Sequence, residues 1–409
     1  MDPIERNLIL GVTHEALWGA ALGLVNPFTI LPLAAHDLGR GVADAGLLEA
    51  SLFAGCNAVQ LWSAFAFQPR WTDPKRTAWM HAPALAITLL LALLMLSPLP
   101  DGLRWGLLLA GVTLHWMGLG VVVPHWATLS SRNVPPELLG RYFGWCFSAA
   151  GLCTIFSGIL GARLAQAGGA HWGYAACFGL AFVVQALSVW LLGQTRPLAP
   201  APQPPGPLAV FLKERWQAAR RSRLWLGFGV IVVCLQFASA STQLFTSFAK
   251  DHGHANGDFE LFNPALALGA TLGAVGLGWL LDRRGPALAL GLAFVPLLAG
   301  LWLLPAGLGL GADAAAFLCA GLFNAVFGSV MIPWLLRLAH PRQHPAFMGL
   351  YGTFTAPWNL AAPWLLGRLA REHGYGAAFS VSALAALAGA LALALLPAHP
   401  SLPRQEAAA

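Results

Sequence analysis

Six ionisable side chains interrupt apolar stretches in the first third of the chain: His14, Glu15, Glu49, His81, His115 and His125. Imidazole and carboxylate are groups that take up and release protons, and histidine does so nearest neutral pH. Placed in an apolar setting, such groups titrate through burial and mutual attraction. Enzyme and metal chemistry fit the same residues poorly. His14-Glu15-Ala16-Leu17-Trp18 begins like the zinc-protease string H-E-x-x-H, but tryptophan stands where the second ligand belongs. His252-Gly253-His254 has no third ligand beyond nearby acids, so neither a metal nor a cofactor is expected. There is no G-x-S-x-G, no Walker loop, and no dinucleotide fingerprint in a βαβ setting.

A membrane has to position these groups. The chain has 409 residues, 57% hydrophobic and only 10% charged, with a mean hydropathy of +0.64. Soluble domains carry about a quarter charged residues, so this composition specifies an all-α integral membrane protein held in a lipid bilayer. Arg6 leads straight into an apolar run too long for a signal-peptide core, so no cleaved leader is expected. All six cysteines fall inside apolar runs and read as small packing residues. The net charge of +6 is spread over loops rather than clustered with aromatics, which argues against a nucleic-acid partner.

A span needs roughly 20 apolar residues, and twelve such runs occur. They are 7–33, 42–67, 77–97, 104–129, 141–165 and 171–193, then 224–249, 260–281, 286–306, 314–338, 347–370 and 376–397. The domain reading is therefore 1–193, a linker 194–223, and 224–409. Pro197–Pro207 cannot be helical, whereas Leu208–Arg223 is basic and suits an interfacial helix. With the N-terminus inside, 17 of the 23 Lys and Arg lie on the inner side and 6 on the outer. That imbalance puts both termini and the linker in the cytoplasm of a bacterial inner membrane. Small residues four apart (Gly19 and Gly23, Ser157 and Gly161, Gly269 and Gly273) let helices approach closely.

The chain repeats itself at an offset of 209 residues. Pro124, Pro136, Gly140 and Tyr142 recur as Pro333, Pro345, Gly349 and Tyr351. At the same offset, Asp73 in Thr72-Asp73-Pro74-Lys75-Arg76 answers Asp282 in Gly278-Trp-Leu-Leu-Asp282-Arg283-Arg284-Gly285, though Pro69 and Arg76 stand where the glycines were. A long-period repeat of this kind means two parallel halves.

The pattern G-x3-D-R-x-G between two spans resembles the cytoplasmic signature loop of the major facilitator superfamily, and with the duplicated halves the resemblance covers nearly the whole chain. It implies twelve transmembrane helices in two pseudo-symmetric six-helix bundles, with spans one, four, seven and ten around a central cavity. It also implies gating loops, here Asp73, Lys75 and Arg76 in one half and Asp282, Arg283 and Gly285 in the other. Asp73 would face the start of span eleven near Phe347, and Asp282 the start of span five near Arg141.

In such a frame Glu15 lies ~12 Å and His125 ~6 Å from the cytoplasmic ends of their spans, with His115 near the middle. Glu15 with His115 or His125, and His14 beside it, are proton-coupling candidates, while Glu49 suits a structural hydrogen bond. The second half offers neutral groups, so Gln236, Gln243, Asn324 and Asn359, with Asn26 and Trp116 from the first half, are candidates to line a solute cavity. Of the 17 tryptophans, Trp79, Trp105, Trp172 and Trp225 sit at span ends as belt anchors, whereas Trp18, Trp62, Trp116, Trp145 and Trp358 lie deeper. The reading is a non-enzymatic, monomeric secondary transporter with a small solute and a proton as partners. Efflux of apolar or cationic molecules comes first and uptake of a sugar or other neutral metabolite second. A non-transporting sensor or scaffold and a lipid-processing enzyme are the rivals from other classes.

Overall fold

Prolines and glycines decide where the helices begin and end. The computed structural model describes residues 2–27, 30–40, 42–67, 69–201, 206–254 and 258–395. The first apolar run is α1 (Pro3–Leu24) and α2 (Ile30–Asp37), separated around Pro27. The second is α3 (Val42–Ala58) and α4 (Gln60–Ala66), and the third α5 (Pro74–Met80) and α6 (Ala82–Leu96). Pro74 and Pro83 sit in the first turns of α5 and α6, where a missing amide costs nothing, so Pro83 starts a helix rather than kinking one. α7 (Asp101–Arg132) runs straight through Pro124.

The helical stretch α8 (Leu139–Leu192) holds two spans, Pro136–Gly168 and His171–Leu192. The Cys177 thiol lies 3.4 Å from the Gly161 carbonyl. Sixteen residues of straight helix would separate them by ~24 Å, so the chain folds back between the two spans. Helix α9 (Leu208–Arg221) follows. Next come α10 (Arg223–Asp251), α11 (Phe259–Arg284), α12 (Pro286–Leu303) and α13 (Leu310–Asn324). α14 (Ile332–Leu338), α15 (His344–His373) and α16 (Tyr375–Ala392) complete the described chain.

Nine helical stretches among the described residues are long and apolar enough to cross a membrane. The first, second and eleventh predicted runs are not among them. α1 carries Glu5, Arg6, His14 and Glu15, the second run breaks at Val59, and α15 contains Pro357, Asn359, Pro363, Arg368 and Arg371.

Two compact units emerge. One comprises Met1–Pro135, Ala149–Gln203 and Arg342–Ala356; the other Pro136–Ser148, Pro204–Pro341 and Pro357–Ala409. In the first, Gly19 and Gly23 of α1 press on Ala150, Thr154 and Ser157 of α8, and a Cβ on Gly19 would lie 2.2 Å from the Ala150 carbonyl oxygen. The Thr154 hydroxyl donates to the Gly19 carbonyl at 2.8 Å. Two of the small-residue motifs are thus the two faces of one interface. Trp105, expected as a belt anchor, is instead buried with Leu108 and Val112 in a core that includes Leu31, Leu48 and Tyr174. The spacing explains it: residues three and seven beyond Trp105 share its helix face. Trp79 and Trp172 are exposed as belt residues should be, and so are Trp62 and Trp145, which rules out core packing for those two.

The second unit contains an irregularity that the sequence reading did not anticipate. Phe327–Met331, between α13 and α14, is a π-helical turn. It directly precedes Pro333, which has no amide for the carbonyl one turn back and crowds it; widening the helix by one residue relieves both faults.

Candidate functional site

The signature loop is a built hydrogen-bond site. Helix α11 approaches α8 through glycine: a Cβ on Gly278 would lie 2.2 Å from the Gly140 carbonyl oxygen, and one on Gly140 2.4 Å from that of Gly278. One turn after Gly278, the Asp282 carboxylate meets the free first-turn amides of α8. It accepts from the Gly140 and Arg141 backbone N–H groups at 2.8 Å each. Arg141 Nε donates at 3.2 Å, and the Arg337 guanidinium forms an ion pair with it as well. Arg337 also donates to the carbonyls of Pro136 and Leu281. The expected partner of Asp282, the start of span five, is therefore found, and Arg337 is an additional one. Arg283 lies over the Trp279 ring, 5.2 Å from its centroid, rather than in this cluster. Gly285 ends α11 with φ of 83°, a conformation glycine adopts without strain.

The Asp73 loop differs. Asp73 precedes α5 without capping it through its side chain, and Arg132 feels the charge of its carboxylate. Lys75 and Arg76 are exposed. Arg132 organises this loop instead, donating to the Thr72 carbonyl and hydroxyl at 2.9 Å each and to the Ala199 carbonyl at 3.0 Å. The expected contact of Asp73 with Phe347 is replaced by one further along the second run. A Cβ on Gly349 would lie 2.7 Å from the Gln60 carbonyl oxygen, and the Leu61 amide donates to the Thr353 hydroxyl at 3.2 Å. The close approach of this half lies where α3 gives way to α4.

The ionisable groups of the first unit fall into separate sets. His14 Nε2 lies 3.4 Å from Glu15 Oε1, and Trp126 also bonds the carboxylate. The His14 ring is 6.4 Å from that of His81, and Trp18 lies 5.5 Å from His81. His115 meets the Thr88 hydroxyl at 3.1 Å, and Thr88 donates to Gln185 at 3.0 Å. His125 bonds Ser63 at 3.2 Å and packs edge-on to Phe67. Glu15 is therefore brought to His14, while His115 and His125 have other partners. Among the described residues no ion pair joins Glu15 to either of them. The Glu49 side chain lies outside the described residues.

Of the solute candidates, Gln236 is buried, Gln243 is exposed, and Asn26 and Asn359 are half-buried. Asn324 donates to the Thr242 hydroxyl at 3.3 Å, just before the π-helical turn. Trp116 and His115 border a void of about 20 Å³ with Thr88, Leu91 and Phe178. Such a space holds about one water, so it is not a solute chamber. His252 bonds the Phe248 carbonyl at 2.8 Å, and His254 bridges Asp258 and Asp313 at 3.1 and 3.0 Å. No group of three or more metal-ligating side chains occurs among the described residues.

Sequence reasoning missed a matched pair of clasps. The Tyr174 hydroxyl donates to Asp37 at 2.7 Å, and the Tyr375 hydroxyl to Asp251 at 2.6 Å. Their signal was present as a second repeat. Gly-Tyr-x3-Phe recurs at 173–178 and 374–379, and each aspartate stands two residues before a glycine of positive φ, Gly39 and Gly253. These repeats have offsets other than 209, because the loops between spans differ in length.

Comparison with known proteins places this arrangement. The E. coli fucose:proton symporter FucP is similar in fold at 14% identity, covering 95% of this chain and 97% of its own, with a TM-score of 0.73. The human organic anion transporter MFSD10 gives 15% identity, 96% and 100% coverage and a TM-score of 0.71. A bacterial homologue of the iron transporter ferroportin gives 14%, 96% and 99%, and 0.67. No curated protein matches in a sequence search. The fold is all-α and membrane-embedded, with the twelve helices in two pseudo-symmetric six-helix bundles that the sequence predicts. The family model of the Major Facilitator Superfamily matches residues 16–358, and the chain belongs to that family.

Proposed function

We propose that the protein is a proton-coupled secondary transporter that moves a small solute across a bacterial inner membrane by alternating access, with both termini cytoplasmic. Residues 1–193 and 224–409 are its two moving halves and 194–223 the cytoplasmic link. The observation that carries the coupling is Glu15, a buried carboxylate in the first span beside an equally buried imidazole. An ionisable group costs ~2.5–3.5 kcal/mol at the centre of a span, and such groups mark ion pathways in membrane proteins. The Asp282 cluster acts as a latch whose contacts break when the inner gate opens.

Export of apolar or cationic small molecules is the first reading, because the solute candidates are amides and an indole with no cation among them. Uptake of a neutral, hydroxyl-rich solute is the second. It draws on the neighbouring carboxamide and hydroxyl of Asn324 and Thr242, and on likeness to FucP and to the proton:xylose symporter XylE.

The test is accumulation of a fluorescent lipophilic cation in bacteria carrying the protein, its Glu15→Gln variant or an empty vector, with and without a protonophore. Lower accumulation with the intact protein alone, lost with protonophore and in Glu15→Gln at equal expression, is the expected outcome. Equal accumulation in all strains would sink the export reading. Ligand screening by thermal stability would then pursue the neutral solute.

A further inference from the structure

Three histidines of the first unit are held in the same way. His14 Nδ1 lies 3.0 Å from the Ser188 carbonyl oxygen and 2.7 Å from the Ser188 hydroxyl, whose own hydrogen goes to the His14 carbonyl at 2.7 Å. His81 Nδ1 lies 2.9 Å from the Thr77 carbonyl, and His115 Nδ1 3.0 Å from that of Ala84. A carbonyl oxygen only accepts, and the Ser188 hydrogen is already committed, so the hydrogen of each neutral ring sits on Nδ1. Each ring then offers an unprotonated Nε2.

For His14 that bare nitrogen faces Glu15 Oε1 at 3.4 Å, with both residues buried. A nitrogen lone pair and a carboxylate oxygen at this distance repel, and little water is present to screen them. One proton turns the repulsion into attraction, whether it rides on the carboxyl or on the imidazole. The pair without that proton is a buried anion, and with it the pair is neutral overall.

We propose that His14 and Glu15 bind one proton between them and that His81 is the next base beside this pair inside the first unit. This deepens the coupling reading above: the coupling group is the pair, not Glu15 alone. The transfer is a simple proton exchange in which an O–H bond breaks as an N–H bond forms, with no change of oxidation state. The titratable groups facing the pair are His81, whose ring is 6.4 Å from His14, and His115 electrostatically coupled to His81. Ser188 and the Trp126 indole are the neutral polar neighbours. No Lys or Arg pairs with Glu15 among the described residues, so nothing else neutralises it. Ser188 is a positioning residue, since it fixes which ring nitrogen meets the acid.

Nitrogen-15 NMR of the full chain, labelled at histidine and held in lipid nanodiscs, tests this without any solute. Resonance pairs of the Nδ1–H form are expected from these three rings, beside that of His252, and each of the three is lost in one of His14→Gln, His81→Gln and His115→Gln. The His14 Nε2 signal should titrate from proton-sharing to bare as pH rises. That titration should vanish in Glu15→Gln, whose side-chain amide donates to Nε2 at every pH. Should His14→Gln fail to fold, Ser188→Ala provides the assignment, because it removes one of the two acceptors on His14 Nδ1 and leaves the other rings untouched. Finding the His14 hydrogen on Nε2 in the neutral ring, or the same titration in Glu15→Gln, would overturn the proposal. Because the readout needs no transported solute, a failed transport assay leaves it unaffected.

Discussion

The two halves of the repeat agree at one end of their helices and disagree at the other. Tyr174–Asp37 and Tyr375–Asp251 are the same clasp built twice, each tying the sixth span of a half to its first. Asp282 and Asp73 began as the same residue of a repeat and are now unlike. Asp282 holds two backbone amides and two guanidinium groups, and its side chain is 2% exposed. Asp73 holds none among the described residues. A clasp needs only a long side chain that reaches across, so it tolerates drift in the backbone. The latch needs two helices in near-contact, and one Cβ at the crossing prevents that.

Asp282→Ala should separate the halves most sharply. Removing it strands two arginines and two helix amides, at a cost of ~3–5 kcal/mol, and we expect a large fall in both transport and thermal midpoint. Asp73→Ala should cost less, ~1 kcal/mol, because its half-buried carboxylate closes no ion pair and acts on Arg132 only through space; an equal loss from both substitutions in detergent unfolding would end the claimed asymmetry. Gly278→Leu should cost ~1–3 kcal/mol or more through overpacking against Gly140, and circular dichroism melts beside the unsubstituted protein measure it directly.

Gly349→Leu tests where the other approach now lies. It should destabilise by a similar ~1–3 kcal/mol, and Gln60→Ala should not rescue it, because an added Cβ meets the backbone of Gln60 and Leu61. Rescue would show that the Gln60 side chain, and not the backbone, sets the crossing. The clasps carry smaller effects than either close approach. Tyr174→Phe and Tyr375→Phe should each cost ~0.5–2 kcal/mol, the first more than the second because Tyr174 is buried and the Tyr375–Asp251 bond is exposed. A reversed order would show that burial does not set the strength of the two clasps.

The signature loop was legible because its chemistry is local. Gly278 and Asp282 lie one turn apart, so the residue that permits the close approach and the residue that uses it occupy one helix face. Arg337 was not legible as a partner, since it reaches Asp282 from a different span and its repeat position is Thr128, with no basic group. Glu15 was picked out by its cost in lipid. Its nearest ionisable neighbour was not legible, because depth along a span says nothing about which helix face a side chain occupies. His14 adjoins Glu15 in sequence, yet it needed Ser188, 174 residues away, to turn its bare nitrogen towards the acid.

Taken alone, the sequence determined the membrane class, the twelve apolar runs, the duplication and the family. These follow from composition, from span length against bilayer thickness, and from turn residues at fixed spacing, all properties of the chain before it folds. Tertiary structure decided which acid became a latch, where α3 gives way to α4, and which nitrogen of His14 carries the hydrogen. Each of these depends on a distance of a few ångströms between residues remote in sequence, and hydrogen bonds and steric contacts act only at that range.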